Sequence, residues 1–138
     1  MSVLIDMLIR HEGSQTFPYT DTVGKLTVGV GRNLTDNGLS DDEIAYLLNN
    51  DVQCVIGELT RTFPWYSQLD APRQDALADM AFNLGMPRLK GFQYMLDALA
   101  RKDWVGAAHA ALDSKWAEQV GTRATEIASI LRTGMYQY

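Results

Sequence analysis

The sequence predicts an α+β protein, mostly helical, folded as a single domain of 138 residues with two lobes. A small lobe with a β-hairpin occupies about residues 13–40, and a long helix at about 41–61 leads out of it. A larger helical lobe takes about 62–138 together with the N-terminal helix. Three observations carry this reading. Tyr19-Thr20-Asp21, a turn at Gly24, and Leu26-Thr27-Val28 form a short hairpin pattern. Ile44, Leu47, Leu48, Val52, Val55, Ile56 and Leu59 recur at helical spacing. Beyond Pro64 every apolar stretch has helical spacing and its own start and stop signals.

The first helix is expected over Val3 to Glu12, with Ser2 as N-cap and Gly13 at the position where helices stop in a left-handed turn. Leu4, Leu8 and Glu12 lie four residues apart and share one face. That face is otherwise apolar, so Glu12 is expected to point inward or into a cleft wall. It also stands at the negative end of the helix dipole. Both surroundings disfavour an ionised carboxylate, which suits a general acid. With Val23-Gly24-Lys25 as the hairpin loop, Asp21 faces Thr27 across the strands and both project from one face. A two-residue loop would put them on opposite faces.

The long helix opens on Ser40-Asp41-Asp42-Glu43, a capping box with acidic residues at the positive end of the dipole. It ends near Arg61, and Pro64 redirects the chain. Asp70 caps the next helix, with Pro72 in its first turn, running to Gly85. Another opens at Gly91-Phe92, Asp103 caps a third, and Thr122 caps the last, which stops at Gly134.

Composition narrows the function classes. Hydrophobic content of 46% is that of a globular domain. No apolar run approaches the ~20 residues of a membrane span, and Asp6 and Arg10 break the N-terminal stretch that an export signal would need. A single cysteine, Cys54, permits no internal disulfide and reads as a small core or half-buried residue. The net charge of −5 comes without a basic stripe, so nucleic acid is not an expected partner. Two histidines and one cysteine without paired ligand spacing predict no metal. His11 is expected to face solvent, His109 to be structural, and Trp65, Trp104 and Trp116 to be core. Gly29-Val30-Gly31 lacks the third glycine and following helix of a dinucleotide loop.

The remaining chemistry lies between Arg10 and Arg32. His11-Glu12-Gly13, Tyr19-Thr20-Asp21, Gly24 and Thr27-Val28-Gly29-Val30-Gly31 resemble the catalytic signature of the T-even phage lysozyme family, glycoside hydrolase family 24. Weaker resemblance covers nearly the whole chain, through Phe82-Asn83-Leu84-Gly85, Gly91-Phe92, Trp104, Trp116, Arg123 and Arg132-Thr133-Gly134. It implies a lysozyme-like fold and hydrolysis of the β-1,4 bond between N-acetylmuramic acid and N-acetylglucosamine in peptidoglycan. Glu12 would protonate the leaving oxygen, and Asp21 with Thr27 would activate water. Phe82, Asn83 and Arg123 would bind or support substrate, with Arg123 near Glu12. No cofactor is implied. The expected enzyme is a monomeric endolysin made in the bacterial host cytoplasm and released to the wall through a holin or another delivery route.

Two other readings share the residues: a lysozyme module of a phage tail or secreted effector, and a non-catalytic peptidoglycan-binding protein of the same fold. Intact Glu12, Asp21 and Thr27 argue against the latter. Negative net charge fits awkwardly with an anionic wall. Two departures from the family pattern carry expectations of their own. Arg32 stands where the family usually has histidine and is expected to pair with Asp51, which would remove a histidine's pH sensitivity. Only five residues separate Leu34 from Ser40, so a shorter small lobe and a more open cleft are expected.

Overall fold

In the computed structural model, which describes residues 2–137, α1 spans Val3–Glu12. The Ser2 hydroxyl caps it by accepting from the Ile5 amide at 3.1 Å, as the sequence predicts. Gly13 ends it with φ 76° and ψ 177°. The positive φ matches expectation, but the ψ is extended, so the chain leaves α1 directly into a strand. Two compact units follow from the contacts, Met1–Leu47 and Leu48–Tyr138, with the division inside the long helix. α1 falls in the first unit with the hairpin, whereas it was expected with the helical lobe.

The first unit holds an antiparallel sheet, β1 (Gln15–Thr20), β2 (Leu26–Gly29) and β3 (Arg32–Asn33), in that order. The register pairs Thr20 with Leu26 and Tyr19 with Thr27, then shifts before reaching Gln15 and Gly29. Pro18 lies at this irregularity and has no N–H to give to a ladder. After β3 comes α2 (Leu34–Asn37), one turn capped by the Asn33 side chain and ended at Gly38. This turn fills the short connection noted between Leu34 and Ser40.

The long helix α3 runs Asp41–Thr62, within two residues of expectation. Its capping box is reciprocal: the Glu43 amide donates to Ser40 Oγ at 3.2 Å and the Ser40 amide to Glu43 Oε1 at 2.8 Å. Of its apolar stripe only Leu59 is buried. Cys54 is exposed, contrary to the core or half-buried place expected of it.

The second unit contains a single turn of 3-10 helix (Tyr66–Gln68) and then α4 (Ala71–Leu84), α5 (Met86–Leu89), α6 (Gln93–Ala100), α7 (Trp104–Leu112), α8 (Lys115–Val120) and α9 (Thr122–Thr133). Leu59 from α3 joins Leu77, Met80, Leu89, Met95, Leu99 and Leu131 in its fully buried centre. α5 and α8 were not foreseen; one turn, or six residues, is too short for periodicity to show. Asp103 caps α7 by accepting from the Gly106 amide at 2.9 Å. Asp70 sits at the start of α4 but accepts from Arg73 instead of a backbone amide. Gly121 takes the cap position before α9, one residue ahead of the expected Thr122. Among the described residues no helix is long and apolar enough to cross a membrane.

Candidate active site

Glu12, Asp21 and Thr27 all lie in the first unit. The hairpin register differs from the one that first linked them. Tyr19, not Asp21, stands opposite Thr27, and Asp21 opens the loop. Its backbone amide donates to the Lys25 carbonyl at 2.9 Å. Its Oδ1 accepts from the amides of Val23 at 3.0 Å and Lys25 at 2.8 Å. An aspartate that satisfies loop amides in this way makes a side-chain-closed turn of its own, and this turn moves the pairing by two residues. β1 stops at Thr20, so Asp21 lies past the end of the ladder and the pairing expected to set Asp21 and Thr27 on one face is replaced by this loop. Gly24, at φ 84°, provides the left-handed residue of the loop.

Thr27 is only 4% exposed. Its hydroxyl donates to the Lys25 carbonyl at 3.0 Å, so the same residue anchors both Asp21 and Thr27. α2 also contacts the end of the loop. Thr35 Oγ1 accepts from the Leu26 amide at 2.8 Å, and Lys25 Nζ pairs with Asp36 at 3.1 Å.

Glu12 is exposed, and α1 buries no residue; Leu4 and Leu8 on the shared face are 58% and 42% exposed. The apolar wall expected around Glu12 is therefore not supplied by its own helix. A unit of this size has little apolar surface with which to cover one. The contact that does define Glu12 is with Gly31, in the tight turn between Val28 and its partner Arg32. A Cβ placed on Gly31 would lie 3.0 Å from Glu12 Oε2 and 3.2 Å from Cδ. The carboxyl thus rests against bare glycine backbone.

Arg32 pairs with Glu43, not Asp51. Nη1 meets Oε1 at 2.7 Å and Nη2 meets Oε2 at 2.6 Å, a two-pronged contact. The capping box brings Glu43 to the first turn of α3, while Asp51 lies about 12 Å further along the helix axis. The Arg32 guanidinium, followed by the Ser40 amide and hydroxyl, holds the Glu43 carboxyl well below its ordinary value of 4.5, at about 2. Because the folded value is depressed, this stabilisation is fully present above about pH 4.5 and is lost as pH falls through about 2. Glu43→Gln is expected to lower Tm at pH 7, with the gap to wild type closing between pH 4.5 and 2 and shrinking in added salt. A pH series of melts checks this. A gap that stays constant down to pH 2 would contradict it.

Phe82, Asn83 and Arg123 lie in the second unit. Phe82 is 46% exposed and lines a shallow groove with Leu48, Val52, Ile56, Asp79 and Arg123. Arg123 donates from Nε to Asp79 Oδ1 at 2.8 Å and from Nη2 to the Asp79 carbonyl at 3.2 Å. Asn83 Oδ1 accepts from the buried Trp116 indole at 2.8 Å. Structure therefore joins Phe82 and Arg123 in one groove and gives Asn83 a separate anchoring contact. His11 faces solvent as expected. His109 is exposed and lines an open groove beside Trp116, contrary to its structural assignment. Trp116 is core, and Trp65 and Trp104 are half-buried and packed against that core. Sequence reasoning missed Gly31's contact and Arg73, described below, because neither has a local sequence signal.

Comparison with known proteins shows the family of the chain. The chain is 27% identical over 163 residues to a probable T4-type lysozyme 2 of Dictyostelium discoideum, covering 97% of this chain and 96% of that protein. It is 30% identical over 159 residues to the pre-baseplate central spike protein Gp5 of Enterobacteria phage T4, covering 95% of this chain but 28% of the spike protein. The profile of the family described as phage lysozyme matches residues 9–131, from before Glu12 to the end of the α9 core. The chain belongs to the phage lysozyme family and is a glycoside hydrolase that acts on peptidoglycan.

Proposed function

We propose that this lysozyme is a muramidase of the endolysin type, cleaving the β-1,4 bond between N-acetylmuramic acid and N-acetylglucosamine with inversion at the anomeric carbon. The observation that most supports this reading is the shared anchor of Asp21 and Thr27 on Lys25. Both loop amides fall on Asp21 Oδ1, which orients the carboxylate and leaves Oδ2 to take a proton from water. The Thr27 hydroxyl has committed its hydrogen to the Lys25 carbonyl, so it offers water only lone pairs. A water donating one hydrogen to Asp21 and the other to Thr27 presents its own lone pair to the sugar. Glu12 protonates the leaving oxygen. Two carboxylates suffice for this chemistry without a cofactor or metal. Phe82 offers a ring face and Asn83 a free amide N–H₂ to the glycan, while Arg123 supports that surface. The enzyme works as a monomer.

The test is stereochemical. An inverting pair needs its carboxyls roughly 6.5–9.5 Å apart to admit water, against about 5–5.5 Å for a retaining pair. Proton magnetic resonance of the first-formed reducing sugar, read before mutarotation, is expected to show the α-anomer. An initial β-anomer would mean that Asp21 is a nucleophile and that Thr27 holds no water. Thr27→Ala is expected to slow hydrolysis, less severely than loss of Glu12.

Such an endolysin would be made in the host cytoplasm and reach the wall through a holin. The match to the spike protein supports a second mode of deployment, in which the same chemistry is carried as a module of a larger assembly.

A further inference from the structure

Gly29 and Gly31 flank Val30 in the turn between β2 and β3, and both are left-handed, at φ 67° and φ 66°. Their surroundings differ. A Cβ on Gly29 would meet nothing within 4 Å, whereas one on Gly31 would meet Glu12 Oε2, Cδ and Cγ at 3.0, 3.2 and 3.3 Å. Any side chain at position 31 therefore requires something to move. The turn is not free to do so. Arg32 is paired with Val28 in the ladder, is held by both prongs of Glu43, and donates to the Gly38 carbonyl at 3.2 Å. Glu12, by contrast, is the exposed end of a flexible side chain. The carboxyl is the group that gives way.

We propose that Gly31 is a positioning residue for Glu12: its bare Cα is the surface against which the general acid's carboxyl is set, and the Arg32–Glu43 pair holds that surface still. The inference rests on Glu12 being the acid and adds what sets its position. It separates the two glycines, which share a backbone requirement but not a task. Gly29 permits the turn, whereas Gly31 permits the turn and also leaves room for the carboxyl.

Gly29→Ala and Gly31→Ala impose the same left-handed strain, so each serves as the other's control. Kinetics on soluble, uncross-linked peptidoglycan are expected to show kcat falling in Gly31→Ala by clearly more than in Gly29→Ala but by less than the roughly 100-fold of a 1 Å misplacement, because contacts of 3.0, 3.2 and 3.3 Å ask the carboxyl for only a small shift. KM should be little changed, and Tm should fall no further than in Gly29→Ala. Gly31→Asn adds a Cβ with less backbone strain and should lose kcat similarly. The Glu12 side-chain carboxyl resonance in carbon-13-labelled protein should move in both position-31 variants and not in Gly29→Ala. Equal kcat losses at positions 29 and 31, or an unmoved Glu12 resonance in the position-31 variants, would overturn the proposal. Full activity of Glu12→Gln would instead overturn the reading beneath it, so the two failures are distinguishable.

Discussion

Glu12→Gln is expected to fold like the wild type and lose bacteriolytic activity on the order of 10²–10⁴-fold, the range supplied by a positioned general acid. Glutamine nearly matches glutamate in shape, so it keeps the contact with Gly31 while removing the proton donor. Glu12 is exposed, and its side chain makes no protein hydrogen bond among the described residues. Its replacement should therefore leave stability within about 0.5 kcal/mol, as for an ordinary surface substitution. Turbidity loss of outer-membrane-permeabilised cells measures the activity, and thermal melts confirm the fold. Lysis at the wild-type rate would remove Glu12 from the chemistry. Retained wall binding with abolished lysis is the expected pairing, because a carboxylate with a purely structural task would affect both or neither.

The second large effect is on stability and comes from Arg73, which is 9% exposed in the core of the second unit. Its Nε donates to the Leu131 carbonyl at 2.7 Å and its Nη2 to the Arg132 carbonyl at 3.1 Å, at the end of α9. Nη1 meets Asp70 at 3.0 Å, and the guanidinium lies 3.9 Å from the centroid of the Trp104 ring. One side chain thus supplies partners for the otherwise unpaired carbonyls of a helix end and ties α9 to α4 and α7.

Arg73→Ala is expected to cost about 3 kcal/mol, from two carbonyls left without donors and the lost packing on Trp104. For a chain of this size that is a Tm lower by about 10 °C. Arg73→Met should recover the packing and not the hydrogen bonds, and Arg73→Lys should recover charge without the planar fork. Both should fall between alanine and wild type. Chemical denaturation measures the series, and an Arg73→Ala variant within 1 kcal/mol of wild type would refute the account. Gly134 belongs to the same arrangement: a Cβ there would lie 2.7 Å from Arg73 Nη1.

Several elements were legible in the sequence because their signals act within one helical turn. Ser2, the Ser40–Glu43 capping box, Asp103 and Gly134 mark helix ends through contacts three or four residues long, and each does so in the structure. The stripe from Ile44 to Leu59 announced α3 for the same reason. The signature around Glu12, Asp21 and Thr27 could be read because its residue types recur at fixed offsets, and family membership rests on the chain that carries them.

Local turn chemistry together with tertiary packing decided which groups meet. The turn at Asp21 closes on its own side chain, and this, more than strand propensity, chose the register and put Tyr19 opposite Thr27. Arg32 had acidic residues available along α3; the cap geometry presented Glu43 and left Asp51 two turns away. Arg73 finds its carbonyls 58 and 59 residues downstream, a separation at which no periodicity or spacing carries information. Local preferences name the elements because they are set by a few neighbouring torsions. Contacts between elements depend on the angle and register at which whole segments pack, and those are properties of the folded chain.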